Sequence, residues 1–258
     1  MSNNLKISSI VTLVSVVALL VYISLSVEND YEINFKSVVV ENSLYLDSQE
    51  YIKFIRLDNS ENFQNLSLTV IKDRIEKHPY INNANISIDD NDKLVIHVFE
   101  KEFGALLIGE DFNYIISEGF EVLPKLPFTK NINIPVAVNP KLDNSISEFS
   151  SLKKNIDIKT AFKIKEAIKQ LNTELSEMLS EIDLRNGKDI MIYFSNFDYP
   201  VIIGRDNEIS KMVYLKKLWT NLKGSEINEH VDYIDLRFDG QIYLGFSESF
   251  LENEGYEI

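Results

Sequence analysis

The groups with which this chain could do chemistry are three histidines, 40 carboxylates and no cysteine. Thiol catalysis, disulfide frameworks and cysteine-ligated zinc are thereby excluded. His78, His97 and His230 stand far apart, and none sits in an H-E-x-x-H frame. His97 alternates with Val95 and Phe99 and reads as a structural strand residue. The run Asp89-Asp90-Asn91-Asp92 invites calcium, but a frame opened at Asp90 has Leu94 where the third oxygen ligand belongs and no glycine after it. A turn is expected there instead. Gly104 and Gly109 have phosphate-loop spacing, yet Glu110 stands where a lysine would meet the phosphate. Gly245-Phe246-Ser247-Glu248-Ser249 lacks the second glycine of a nucleophile elbow. No two carboxylates are paired in an apolar setting, as glycoside hydrolysis requires. Asn65 and Asn85 open N-x-S sequons at a chance level for so asparagine-rich a chain. No catalytic residue, metal site, cofactor or small-molecule substrate is expected.

With chemistry set aside, the charge map becomes the informative feature. The 258 residues carry a net charge of −14 and 45% hydrophobic side chains, which suits a folded protein of one or two domains. So acidic a balance argues against a sequence-independent grip on nucleic acid. Between residues 1 and 27 the only charged side chain is Lys6, which leaves 25 basic against 40 acidic groups, a net of −15, on residues 28–258. The uncharged run 7–27 would span ~31 Å as a helix, matching a bilayer core of ~30 Å. Lys6 on one side and Glu28, Asp30 and Glu32 on the other place a six-residue head in the cytoplasm and the bulk outside. A cleaved signal peptide, with Ser24 and Ser26 before the cut, is the alternative, although ~20 apolar residues are long for one.

The exported part must supply the elements. Residues 33–40 read as a strand. Asp47 and Glu50 form a capping-box pattern for a helix to about residue 57, and Ser67 caps a second helix that Pro79 stops. Strands at 84–88 and 94–99 flank the Asp89–Asp92 turn, giving strand–helix–helix–strand–strand over residues 33–102. This order can close as a three-stranded sheet with two helices on one face. From residue 103 to 246 short strands are expected at 104–108, 113–116, 135–138, 182–185, 189–194 and 199–203. Residues 139–156 form a connecting loop. One helix is expected from Asp157 along Ile164, Ile168, Leu171, Leu175 and Met178, and a second, capped by Asp206, along Ile209, Met212, Leu215, Leu218 and Leu222. The class is α+β, the second domain having a mostly antiparallel sheet and two helices.

Asp239-Gly240 between apolar runs predicts a two-residue hairpin. In that register Phe238 faces Gln241, Leu236 faces Tyr243, Ile234 faces Gly245 and Tyr233 faces Phe246. Ile242, Leu244 and Phe246 then share the side of Asp235 and Arg237, so the last strand is apolar or aromatic on both faces. It is either a sheet edge offering unpaired backbone to a partner strand or a buried central strand. The residues alone leave both open. An acidic tail, 247–258, follows.

These residues together resemble the FtsQ/DivIB family of bitopic bacterial cell-division proteins. HPYINNANISI and LVIHVFEKEFGALL are similar to the signatures of that family's POTRA (polypeptide-transport-associated) module, although Lys101 and Phe103 replace its arginine and proline. Val201-Ile202-Ile203-Gly204 before a helix and Tyr233-Ile234-Asp235-Leu236-Arg237-Phe238 resemble two further family segments, in matching order. The resemblance implies a non-enzymatic division-site scaffold in the plasma membrane, single-pass with its N-terminus inside. Its POTRA-like domain (33–102) would precede a β domain (103–246). It implies FtsB/DivIC-like and FtsL-like partners, one of them adding a strand at the C-terminal strand, and a partner surface at Tyr233, Phe238, Gln241, Ile242, Tyr243, Leu244 and Phe246. A second, recruitment contact would lie at Ile86, Ile88 and Asp89. The competing reading is a POTRA-bearing polypeptide-transport or envelope-assembly factor; a membrane-tethered hydrolase is a third.

Overall fold

The computed structural model describes residues 12–22, 35–59, 66–109, 112–130, 132–142, 146–248 and 250. Residues 12–22, inside the apolar run, form helix α1 with every side chain exposed. No helix among the described residues is long and apolar enough to cross a membrane. The rest of the expected span, 7–11 and 23–27, lies outside the described residues, as do the head 1–6 and most of the acidic tail. Beyond α1 the chain forms two compact units. Among the described residues, the first takes 35–42, 48–59, 66–78 and 84–98; the second takes 43–47, 79–83 and those from 99 onward.

In the first unit, strand β1 (Ser37–Glu41) is followed by helices α2 (Ser48–Phe54) and α3 (Leu68–Ile75), then strands β2 (Ile81–Ile88) and β3 (Lys93–Glu100). The sheet order is β1-β3-β2, with β1 parallel to β3. Ser67 caps α3 as expected, its side chain accepting from the Val70 N–H at 3.3 Å. Val40, Ala84, Leu94, Ile96 and Val98 bury one sheet face, and Tyr51, Ile52, Ile71 and Ile75 of the helices are buried with them. The Asp89–Asp92 run is a turn: the Asp89 carboxylate accepts from the Asn91 and Lys93 N–H groups at 2.9 Å. These bonds hold that carboxyl below its ordinary value. His97 lies on the open face, its Nδ1 3.3 Å from Glu41.

The second unit is built on a nine-stranded sheet of β4 (Phe103–Ile108), β5 (Asn113–Ser117), β6 (Val122–Pro124), β7 (Val136–Val138), β8 (Leu179–Asp183), β9 (Ile190–Phe194), β10 (Val201–Gly204), β11 (Val231–Asp235) and β12 (Tyr243–Phe246). Its order is β12-β11-β10-β9-β8-β7-β4-β5-β6. Three neighbour pairs, β4–β7, β7–β8 and β10–β11, are parallel and the rest antiparallel. The last two parallel pairs enclose helices: α4 (Ile156–Leu171) and α5 (Thr173–Met178) lie between β7 and β8, and α6 (Glu208–Leu222) between β10 and β11. Both crossovers step the same way along the sheet, so their shared hand puts all three helices on one face. Ile158, Ile164, Ile168, Leu175, Met212, Leu215 and Trp219 there share one core with Leu107, Ala137, Ile182, Ile192, Val201 and Ile234.

Two helical expectations are corrected. The apolar stripe from Ile164 to Met178 is two helices, because Asn172 leaves helical geometry (φ −158°) and its side chain caps α5 by accepting from Leu175 N–H at 2.9 Å. The unit therefore has three helices where two were expected. Asp206 does not cap α6. Gly204, Asp206 and Asn207 all take positive φ, and the turn is closed from inside the helix. Glu208 accepts from Asp206 N–H, and the buried Lys211 donates to the carbonyls of Ile203 (2.9 Å) and Arg205 (3.3 Å). Ile209 is exposed while Lys211 and Trp219 face inward.

The loop after β7 also has more order than a connector needs. Phe149 N–H donates to Val122 O at 2.7 Å, Val122 N–H to Ser150 O at 2.9 Å, and Leu152 N–H to Phe120 O at 2.8 Å. With the Glu121–Ser151 bridge, residues 149–152 line the outer side of β6.

Candidate functional site

The β11–β12 hairpin is the end of the sheet, and its register departs from expectation by one residue. Asp235 pairs with Tyr243, Ile234 with Leu244 and Tyr233 with Gly245, with a bulge before Val231–Phe246. The cause lies at Asp235. Its carboxylate accepts from Arg237 N–H at 3.0 Å, an Asx turn that takes the chain out of the ladder before the hairpin can zip to Asp239-Gly240. Residues 236–242 form the connection. Within it Gln241 N–H donates to Phe238 O at 3.2 Å, and Gly240 alone of the central pair takes positive φ (+71°), as a type II turn needs.

A one-residue slip exchanges the faces of a strand. Leu244 now shares the side of buried Ile234, and both it and Phe246 pack against the core. Tyr243 points to the open side at 48% exposure. Tyr233, 42% exposed, lays its ring where a Cβ on Gly245 would sit, so residue 245 must be small for the ring to lie down. Phe238, 52% exposed, meets the Tyr243 ring edge-on at 5.1 Å, and the Tyr243 hydroxyl donates to Gln241 Oε1 at 2.6 Å. Ile242 is also exposed. Thus Phe238, Gln241 and Tyr243 form one outward cluster with Tyr233 on the same hairpin, while Leu244 and Phe246 hold the strand from beneath. In the first unit, Ile86 and Ile88 share the β2 face of buried Ala84 and are partly covered, and Ile86 lines a groove of about 530 Å³ with Leu68, Lys72 and Ala84.

The hairpin is fixed at its base by groups that sequence reasoning did not single out. Arg237 grips the buried Asp235 through Nε (3.0 and 3.1 Å) and Nη2 (2.6 Å) and reaches Asp189 through Nη1 at 2.9 Å. Burial alone would raise the Asp235 carboxyl; the hydrogen bonds and charge of Arg237, with the charge of Lys211, outweigh it and hold the group below its usual range. The stem of Arg237 crosses Gly204, whose φ is +67° and whose missing Cβ would stand 2.9 Å from Arg237 Cγ. In the sequence the signals for these groups are the strand ending in Gly204 and the segment Tyr233–Phe238, which holds Asp235 and Arg237. Among the described residues no group of three or more His, Asp or Glu could hold a metal ion.

Comparison with known proteins bears on this unit directly. The sequence model of the family described as "Cell division protein FtsQ/DivIB, C-terminal" matches residues 110–237, from before β5 to Arg237. Cell division protein FtsQ of Syntrophotalea carbinolica is 24% identical over 218 residues, covering 84% of this chain and 76% of its own. Cell division protein DivIB of Clostridium tetani is 26% identical over 213 residues, covering 80% of this chain and 77% of its own.

The chain belongs to the FtsQ/DivIB family.

Its role therefore lies in cell division. The family match ends at the residue that clamps the hairpin, so β12 is the element just beyond it. Asp189, Gly204, Asp235 and Arg237 all fall within the matched span.

Proposed function

We propose that this FtsQ/DivIB-family chain is a division-site scaffold without catalytic activity, and that it works by strand addition. A small coiled-coil partner of the FtsB/DivIC or FtsL kind extends the sheet at β12. Residues 7–27 anchor the chain in the plasma membrane with residues 1–6 inside, and the POTRA-like first unit offers a recruitment contact around Ile86, Ile88 and Asp89. The observation that carries the reading is the asymmetry of the sheet. Among the described residues β12 pairs with β11 alone, whereas β6 at the opposite end is lined by residues 149–152. A strand with one free side and exposed aromatics beside it suits an incoming strand that pairs by backbone and is selected by side chains.

The test is a photoreactive residue at Tyr243 in the full chain, in cells, combined with proline at Tyr243 or at Leu244. Adjacent residues send their N–H groups to opposite sides of a strand, so one proline breaks the hairpin and the other removes only an outward donor. For the Tyr243→Pro variant the photoreactive group is moved to Ile242. Expected is a crosslink to a small coiled-coil division protein, lost in whichever proline variant keeps native Trp219 emission. Survival of the crosslink in that folded variant sinks the reading.

A further inference from the structure

The two faces of the nine-stranded sheet are unlike. Helices cover one. On the other, the register lines up Leu106, Val136, Glu181 and Tyr193 as one cross-strand row and Ile108, Val138, Asp183, Met191 and Ile202 as the next. Each neighbours in sequence a residue of the helix-side core, such as Leu107, Ala137, Ile182, Ile192 or Val201, so all point the opposite way. A solvated face of such a sheet ordinarily carries polar side chains. Here seven of the nine positions are apolar or aromatic, and they are partly exposed.

Two carboxylates stand in the middle of this surface. Glu181 forms no ion pair among the described residues; burial, and then the charge of Asp183, push its carboxyl above the ordinary value. Asp183 accepts from Asn139 Nδ2 and from Arg185 N–H, both at 3.0 Å. Arg185 stands at the rim, its Nη1 3.3 Å from Met191 Sδ. Two carboxylates stand close together among apolar groups with one arginine at the rim and no ion pair to either among the described residues, a combination that an added cation relieves.

We infer that this face docks a basic amphipathic helix of a partner protein, its apolar side over Val136, Val138, Met191 and Tyr193 and two cationic side chains on Glu181 and Asp183. The spacing fits. Glu181 and Asp183 are two residues apart along β8, ~6.7 Å, and lysines four apart on a helix rise ~6 Å. A helix ~10 Å wide covers two to three strands at ~4.8 Å each. The sign selects the occupant. A second copy would bring the same two carboxylates against each other, and an anionic lipid surface would be repelled in the same way. The surface lies on β4 and β7–β10, away from the free side of β12, so it stands or falls separately from strand addition.

The test uses the full chain in detergent micelles and a fluorescein-labelled 18-residue Leu/Lys amphipathic helix, with a scrambled peptide of the same composition. The variants are Glu181→Lys, Glu181→Gln and Val138→Asp. Glu166→Lys on α4 makes an identical charge change on the other side of the sheet. Expected is about tenfold weaker binding in Glu181→Lys and Val138→Asp, a smaller loss in Glu181→Gln, less than twofold change in Glu166→Lys, and tenfold weaker binding of the scrambled peptide. Equal effects of Glu166→Lys and Glu181→Lys, or equal binding of the scrambled peptide, would reduce the effect to long-range charge and overturn the inference. Dimers of the unvaried chain that Val138→Asp dissolves would assign the face to a second copy and overturn it too. If Val138→Asp loses native Trp219 emission, Glu181→Gln decides: unchanged peptide binding there refutes the inference. The Tyr243 crosslink should be indifferent to Glu181→Lys.

Discussion

Replacing Asp235 by Asn should loosen the hairpin by an amount that depends on pH in a defined way. The Asp235 carboxylate takes three contacts from the Arg237 side chain and one from its backbone N–H, at 2.6 to 3.1 Å. Asn keeps one acceptor oxygen and loses the charge. A buried bond to a charged group contributes ~1.5–3 kcal/mol, but the Arg237 side chain is 42% exposed and solvent screens part of that. The expected loss is therefore about 1–2 kcal/mol, or roughly 2–8 °C in Tm for a unit of this size. The folded-state carboxyl lies below its ordinary value, so its contribution is complete above pH ~4 and disappears as pH falls through the depressed folded value. Asn has no such titration. Urea denaturation followed by Trp219, the single tryptophan and buried in the second unit, should show a constant gap between the two proteins from pH 5 to 8. The gap should narrow by pH 3. A gap below ~0.3 kcal/mol, or one of equal size at pH 3 and pH 7, refutes the assignment of Asp235 as the anchor of Arg237.

Gly204→Ala should cost ~2 kcal/mol, since positive φ penalises a Cβ by ~1–2 kcal/mol and that Cβ would also push on Arg237; faster amide exchange in β11–β12 than in β8–β9 is the check. Tyr80→Phe should cost about 1–2 kcal/mol, because the buried hydroxyl contacts Pro124 O at 3.0 Å, Thr129 Oγ1 at 2.8 Å and Leu126 N–H at 2.9 Å. Faster tryptic cleavage after Lys125 or Lys130 would report the loosened loop, and unchanged digestion would deny Tyr80 that role.

Much of the architecture was legible because it follows from local rules. Ser67 and Pro79 bracket α3, the Asp89–Asp92 run is a turn, and the stripe from Ile164 to Leu171 is helical. What was missed is where side chains override those rules. The sequence Asp239-Gly240 reads as a tight hairpin, but Asp235 captures the Arg237 backbone first, and register is lost to an interaction that propensity does not contain. Asn172 was invisible inside a continuous apolar stripe, although an Asn before Thr-Glu is a capping signal. At α6, Ile209 fits the stripe better than Lys211, yet the carbonyls of Ile203 and Arg205 need a donor in the turn and Lys211 supplies it. Of the residues expected to form a partner surface, Tyr233, Phe238 and Tyr243 are on the outside, while Leu244 and Phe246 are turned inward by the slip. β6 is three residues long and ends in proline, and its partner segment 149–152 lies in a polar stretch that reads as loop.

That segment sets a valence. A sheet with two free ends can be extended at both, and heterologous pairing of one end with the other grows without limit. Here Pro124 has no N–H to give, the Val122 N–H is already spent on Ser150, and among the described residues only the β12 end stays unlined. If β12 takes up a strand as proposed, such a sheet has room for one incoming strand per molecule at that end. Added copies of this chain raise the number of acceptors in proportion and do not build a fibre. On the strand-addition reading, the number of acceptor edges then rises one for one with the number of chains.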